Sequence, residues 1–321
     1  MKHVVIGTAL LALVPILLGS NFYINLGTQI LIAAIFASSY NMIAGWGGLI
    51  SFGHAAFFGA AGYGAALLVL KGGFGHLAAA LLGILFATAL AGVIGALALR
   101  ATGIGFLMIT LALGQILWGL SYRWVSVTGG DNGLTGLTRP KLLGLSIDGA
   151  GAYYYLTLAV AVVAFLSIRQ FAGSSLGASL RGSRDQPRRM SALGFDVWLI
   201  RWITFVYAGF WAGVAGLLFL YYHRFVSPHS LSIAESAEVL LMVILGGAGT
   251  LSGPIVGAAI IVLVRNLVSA YVEHWPMLLG ALFLLVIMFV PEGLVPGLAA
   301  RLRRASGASG RKAPVEAPPR A

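Results

Sequence analysis

Cysteine is absent from the 321 residues, which excludes disulfides, thiolate metal sites and cysteine nucleophiles. Charge is nearly as scarce. Only 9% of residues are Asp, Glu, Lys or Arg, against roughly 25% in a soluble domain. With 59% of residues hydrophobic, the chain has too little polar surface to cover itself in water. Nucleotide and metal signatures are missing as well. There is no G-x-x-x-x-G-K-[ST] run and no H-E-x-x-H, and His223 and His229 stand six apart. Gly103-Ile104-Gly105 is half a dinucleotide fingerprint with no βαβ unit around it. The chain is expected to be no enzyme and to hold no metal or cofactor. If ATP drives the system, another chain binds and hydrolyses it.

What is present is a series of long apolar blocks, at about 4–19, 27–44, 49–70, 77–99, 104–122, 151–169, 202–222, 237–248, 253–270 and 277–290. A bilayer core takes roughly 20 apolar residues per helix, so the chain reads as an all-α polytopic membrane protein with about ten transmembrane segments. Lys2 followed by an apolar stretch has the look of a signal peptide. Gly19-Ser20-Asn21-Phe22 lacks a small-x-small cleavage site, so the block is read as a retained first span. One membrane domain is expected over 1–300, followed by a disordered basic tail over 301–321, rich in Ala, Gly, Pro, Ser and Arg.

The net charge of +11 is explained by topology rather than by nucleic acid, because the basic residues lie between blocks and in the tail. Take the arginine-rich loop 170–200 and the tail with Arg301, Arg303, Arg304, Arg311 and Lys312 as cytoplasmic. An even number of crossings must then separate them, so the stretch 237–270 counts as two segments. Lys2 and Arg100 then fall inside and both termini are cytoplasmic. Six of the 20 basic residues fall outside: Lys71, Arg123, Arg139, Lys141, Arg224 and Arg265. No block carries an acidic or basic residue in its interior, which argues against a proton antiporter, a voltage sensor or an ion-coupled carrier. His54 is the ionisable exception. Its ordinary role is a neutral ring bonded to a nearby backbone carbonyl.

Three stretches stand out. The first runs from Ser39 to Gly64 and contains Asn41, Gly45, Gly47, Gly48, Ser51, Gly53, His54, Gly59 and Gly62. Small residues allow close helix approach, and a glycine run can open a helix where the freed backbone is buried or lines a cavity. Tight packing alone and a place on the translocation path are both open readings. A second break, Gly246-Gly247-Ala248-Gly249-Thr250-Leu251-Ser252-Gly253-Pro254, resembles it loosely, and paired interrupted segments point to a transport pathway.

The second stretch is the loop Gly177 to Phe195. Asp185 suits a helix N-cap, Pro187 the first turn and Gly194 the position just past the end. A short amphipathic helix with Arg181, Arg184, Arg188, Arg189, Met190 and Leu193 is expected to dock in a groove on a soluble partner, against the plainer reading of a topology-setting basic loop. The third is Thr128-Gly129-Gly130-Asp131-Asn132-Gly133, a glycine-built turn in the long outside loop that could face a partner. It faintly suggests a calcium loop but lacks the ligand pattern.

In this order the stretches resemble the permease subunits of ABC importers for branched-chain amino acids, the LivM type. The matching features are Tyr40-Asn41 through Gly53-His54 with Phe57 and Gly59, Gly103 to Gln115 with Leu111-Ala112-Leu113, Thr128-Gly129-Gly130 to Gly136, Ala192-Leu193-Gly194, and Leu245-Gly246-Gly247 through Gly253-Pro254 with Gly257. The likeness covers roughly 27–295. It departs at Arg181-Gly182-Ser183, where the family carries a more regular, acidic helical run. The resemblance implies a vitamin-importer-like (type II) architecture with a coupling loop after the sixth span. It also implies a second, LivH-like permease, two cytoplasmic ATPase subunits that bind the ATP, and a periplasmic substrate-binding protein. The setting implied is the lipid of a bacterial inner membrane. Urea, short amides or aromatic acids are alternative cargoes, and a stand-alone secondary carrier is the rival class.

Overall fold

A computed structural model describes residues 20–139, 141, 142, 145, 146 and 148–268, with 277, 280, 281, 284, 288 and 293–298. The expected span at 4–19, most of the block 277–290 and the tail 301–321 lie outside the described residues.

The described residues of the apolar blocks are largely helical. The helices are α1 (Asn21–Asn41), α2 (His54–Leu70), α3 (His76–Ala98), α4 (Ile104–Arg123) and α5 (Ala150–Gly173). They continue with α6 (Ser175–Asp185), α7 (Pro187–Ala192), α8 (Val197–His223), α9 (Ile233–Gly246) and α10 (Gly253–Val268). A small antiparallel hairpin pairs Lys141–Leu142 with Leu145–Ser146. Among the described residues, five helices are long and apolar enough to cross a bilayer: α1 with its extension to Trp46, α3, α4, α5 and α8. α2 and α10 are apolar but shorter, at 17 and 16 residues, or about 25 Å each at 1.5 Å per residue. The expectation of an all-α membrane protein holds at this level.

Apolar side chains surround α3 and α4 rather than forming one stripe. Leu77, Leu81, Leu85 and Val93 on α3, and Ile104, Met108 and Ile116 on α4, are exposed. So large an apolar surface belongs against lipid. The opposite face of α3 is a ladder of small residues, Ala79, Gly83, Ala87 and Ala91, all buried against α2 and α8. With lipid outside, burial alone does not draw helices together, and close backbone approach takes its place. α8 packs on α1, α2 and α3, while α1 also packs on α5, α9 and α10. The main core lies around α1, α2 and α8.

Two helical hairpins share one end of this bundle. α1 and α2 run antiparallel, since Ser39 meets His54 and Tyr40 meets Ser51. α9 and α10 run antiparallel as well. A Cβ on Gly246 would overlap the Gly253 carbonyl, and one on Gly257 the Met242 carbonyl. The break at 246–254 therefore turns the chain, as charge parity requires. The basic loop α6–α7 lies at the same end, with Arg184 reaching Gly45.

Candidate functional site

The α1–α2 turn is a broken helix inside the protein. α1 ends in a π-helical turn, Met42–Trp46, with Gly47 N–H donating to Met42 O at 3.1 Å. Such a turn frees backbone groups and marks functional positions. Residues 47–53 then run without helix; the Gly47 and Leu49 amides bond back to Met42 O and Ile43 O, and side chains take those of residues 51–53. Ser51 N–H donates to Tyr40 Oη (3.2 Å), Phe52 N–H to Thr110 Oγ1 of α4 (3.3 Å), and Gly53 N–H to Ser51 Oγ (3.3 Å). Ala55 N–H, in the first turn of α2, donates to Ser236 Oγ of α9 at 3.0 Å. Tyr40, Ser51 and Thr110 are fully buried and Ser236 nearly so. One polar residue per helix, spaced far apart in sequence, thus builds the seat of the break. Gly53 lies against the Thr110 backbone, and Gly59 against Ser230 and Leu231.

His54 opens α2 and is fully buried. Its expected backbone-carbonyl partner is replaced by a hydroxyl. Ser39 Oγ donates to Phe36 O at 2.7 Å and lies 3.0 Å from His54 Nε2. The serine proton being committed, Nε2 carries the hydrogen and Nδ1 is the bare nitrogen, left without a partner. Phe36 stacks on the ring at 5.5 Å, with Tyr40 and Phe57 edge-on. Among the described residues no group of three His, Cys, Asp or Glu could hold a metal ion.

The two glycine breaks, paired only loosely in sequence, meet in space. Asn41 Nδ2 donates to Thr250 O (2.8 Å) and Asn41 Oδ1 accepts from Gly249 N–H (2.8 Å). Trp46 Nε1 donates to Gly249 O at 2.8 Å. A Cβ on Gly45 would overlap Asn41 Oδ1 and the Gly249 amide, so this approach requires glycine. Thr250 Oγ1 donates to Gly247 O and accepts from Gly253 N–H, which seats the start of α10. Ser252 contributes its carbonyl to Val256 N–H, and Pro254 is buried in the first turn.

In the basic loop α6 continues through Arg181-Gly182-Ser183, where the sequence looked irregular. Asp185 ends α6, and Gln186 stands at the N-cap of α7, which removes the expected aspartate cap. Gly194 fulfils its expectation with φ +87°, Gly194 N–H bonding Ser191 O and Phe195 N–H bonding Met190 O. Arg188, Arg189 and Leu193 are exposed. Met190 folds back against Gly182 instead of facing outward. Arg181 donates to Ala172 O at 2.9 Å and Arg184 to Gly45 O at 2.5 Å, so both arginines serve the bundle itself. The run Gly173 to Gly177 has G-x-S-x-G form, but it joins two helices, with Ser174 capping α6 and the central Ser175 standing as its first residue.

At the other end, the Thr128 hydroxyl lies 2.6 Å from Ser121 O and accepts from Gly130 N–H, while Gly129 and Gly130 take positive φ. Asp131 and Asn132 are exposed at the tip. Arg139 lies over the Tyr153 ring at 4.4 Å, and burial together with Arg224 lowers its pKa. The expectation of charge-free block interiors fails here. Glu238 on α9 and Arg265 on α10, both inside apolar blocks, pair at 3.2 Å with side chains 15% and 30% exposed. Antiparallel packing brings them together, and the 27-residue separation hides the pair in sequence. His229 Nδ1 lies 3.4 Å from Glu235 beside them, and that bond raises its pKa.

Two broken hairpins that meet at one end of a multi-pass helical bundle, against a structured basic loop, give this chain the build of a membrane transport protein. Residues 22–290 match the family described as branched-chain amino acid transport system, permease component, and the chain belongs to that family. It is similar to the high-affinity branched-chain amino acid transport system permease protein LivM of Salmonella typhimurium. The two are 29% identical over 307 residues, covering 88% of this chain and 72% of that protein. LivM of Escherichia coli is 28% identical over 309 residues, with 89% and 73% covered. LivH of Escherichia coli is 27% identical over 124 residues, with 38% and 40% covered. No solved structure matches the chain.

Proposed function

We propose that the chain is one pore-lining permease subunit of an ATP-driven importer for branched-chain amino acids in the inner membrane. It pairs with a second, LivH-like permease and with two cytoplasmic ATPase subunits that bind the ATP. A periplasmic binding protein delivers the amino acid to the end that carries Asp131 and Asn132. The basic loop and both termini face the cytoplasm, and about ten spans of type II arrangement surround the path. What carries the reading is the direct bonding of a broken-helix turn to the basic loop in a chain of this family. A neutral bundle fits a path that lends its cargo little affinity, with the driving energy entering at the loop and selectivity residing in the binding protein.

The test is reconstitution in proteoliposomes with the second permease, the ATPases and the binding protein. Uptake of leucine, isoleucine or valine that requires ATP is the expected result. Leu193→Glu and Arg188→Glu, at exposed loop positions, should abolish substrate-stimulated ATP hydrolysis. Robust amino-acid flux through this chain alone, without ATPases, overturns the proposal. Uptake restricted to urea, short amides or aromatic acids overturns the substrate assignment only.

A further inference from the structure

Arg184 turns back into the bundle instead of outward to a partner. Its Nη1 donates to Gly45 O at 2.5 Å, and its Cγ would lie 2.9 Å from a Cβ on Gly48. Gly45 belongs to the π turn, and the flanking Asn41 and Trp46 hold Gly249 and Thr250 of the other hairpin. Three segments distant in sequence therefore share four hydrogen bonds at one place. All four use backbone groups that the glycine breaks release from helical bonding. If the segments part, Gly45 O, Gly249 N–H, Gly249 O and Thr250 O lose their partners. In a membrane body such groups are tolerated only where protein buries them or a water-filled cavity reaches them. Separation of the hairpins therefore requires water, or new protein partners, at these groups.

Resting on the proposed function, we infer that Asn41, Trp46, Gly249, Thr250 and Arg184 form a latch that closes the basic-loop end of the path. Arg184 is the positioning residue through which α6 releases it. α6 is anchored at both flanks, so a displacement of α6 is shared with the ends of α5 and α8. Arg181 ties it to the end of α5, and Arg201 of α8 donates to Ser183 O at 2.7 Å. Displacing α6 withdraws the guanidinium from the π turn, and the hairpins then hold each other by neutral bonds alone.

The chain has no cysteine, so Ala44→Cys with Ala248→Cys, each one residue from the Gly45–Gly249 contact and neither a latch member, introduces the only thiols in this subunit. In the reconstituted importer, with any partner cysteines removed, a short reducible bis-thiosulfonate joining the two should stop ATP-driven uptake, and reduction should restore it. Uptake that persists after complete crosslinking overturns the latch. Arg184→Gln should raise the ATP hydrolysed per amino acid moved by about tenfold, the scale of one charge-assisted hydrogen bond, and Arg184→Lys should recover part of the loss. An unchanged ratio in Arg184→Gln overturns the role given to Arg184. A reconstituted unmodified importer with no ATP-driven uptake would instead count against the proposed function, so the two failures are distinguishable.

Discussion

Two tyrosines that differ only in what their hydroxyls touch give a direct test of the broken-helix seat. Tyr40 Oη accepts from the Ser51 amide at 3.2 Å, and both residues are fully buried. Tyr40→Phe keeps the ring and strands that amide without an acceptor, a cost of about 1–3 kcal/mol. Tyr63 is also buried, but its hydroxyl has no partner. Tyr63→Phe removes an unsatisfied group and should be neutral or stabilising. A difference of about 2 kcal/mol between the variants corresponds to roughly 4–8 °C in midpoint for a chain of this order of size. The assay is the fraction of purified full-length protein remaining monodisperse in detergent after heating. The expected order is Tyr63→Phe at or above the unmodified protein, with Tyr40→Phe below it. If Tyr40→Phe is as stable as Tyr63→Phe, residues 51–53 are not held by the side chains assigned to them.

The Glu238–Arg265 pair should behave as a partly buried ion pair. Glu238→Leu or Arg265→Leu alone should cost up to about 3 kcal/mol by leaving one charge unpaired, while the double replacement should be near neutral in the same heating assay. His229 carries a raised pKa through its bond to Glu235. Its contribution is therefore full below the ordinary histidine value and is lost as pH rises through the raised one. With its side chain 71% exposed the effect is small. It should show as a stability advantage over His229→Gln near pH 5.5 that vanishes near pH 8.5, the window set by the histidine range of about 6.5 upward. Gly246→Ala should prevent assembly of the α9–α10 hairpin, because the new Cβ meets the Gly253 carbonyl. Gly119→Ala, on α4 with nothing near its Cβ, should gain about 0.5–1 kcal/mol from helix propensity. Size-exclusion profiles and melting separate the two glycine variants.

The membrane class and the turn at 246–254 were legible because they rest on bulk properties. Scarce charge and long apolar blocks specify helices in lipid, and the parity of basic loops made the stretch 246–254 a turn, as observed. Gly194 was legible because a left-handed residue after a short helix has few alternatives. The pairing of the two glycine breaks was only hinted at, since their likeness in sequence is loose while their contact depends on Asn41 and Trp46 reaching across 203 or more residues. The seat of the break was missed because Thr110 and Ser236 are single polar residues in apolar helices, indistinguishable from ordinary back-bonded hydroxyls until the helices are packed. Arg184 was assigned outward because a basic loop reads as a surface, and a side chain that reverses toward a carbonyl leaves no periodic trace. The pairing of Glu238 with Arg265 escaped notice because each stands alone in its block, Arg265 counting only as an outside basic residue, and only the hairpin shows that they neutralise one another.

The chemistry of the latch matches what a reversible gate requires. Its three neutral hydrogen bonds contribute about 0.5–1.5 kcal/mol each, and the Arg184 bond about 1.5–3. The sum, about 3–7.5 kcal/mol, brackets the roughly 5.5 kcal/mol that moves an equilibrium from 1:99 to 99:1. An apolar seam of large side chains would supply more and would not release on a small displacement of α6. A buried ion pair would leave an uncompensated charge on opening, at a cost of roughly 3–5 kcal/mol beyond the bonds themselves. Backbone amides and carbonyls freed by glycine avoid both problems. They are bonded when the hairpins meet and hydrated when they part, and Arg184, half-exposed at the surface of α6, makes the strongest of the four bonds while its guanidinium stays within reach of water on withdrawal. A gate with these components therefore belongs at the end where an external motor can pull on the loop, and the fully buried Tyr40–Ser51 seat beneath it is the fixed part against which it moves.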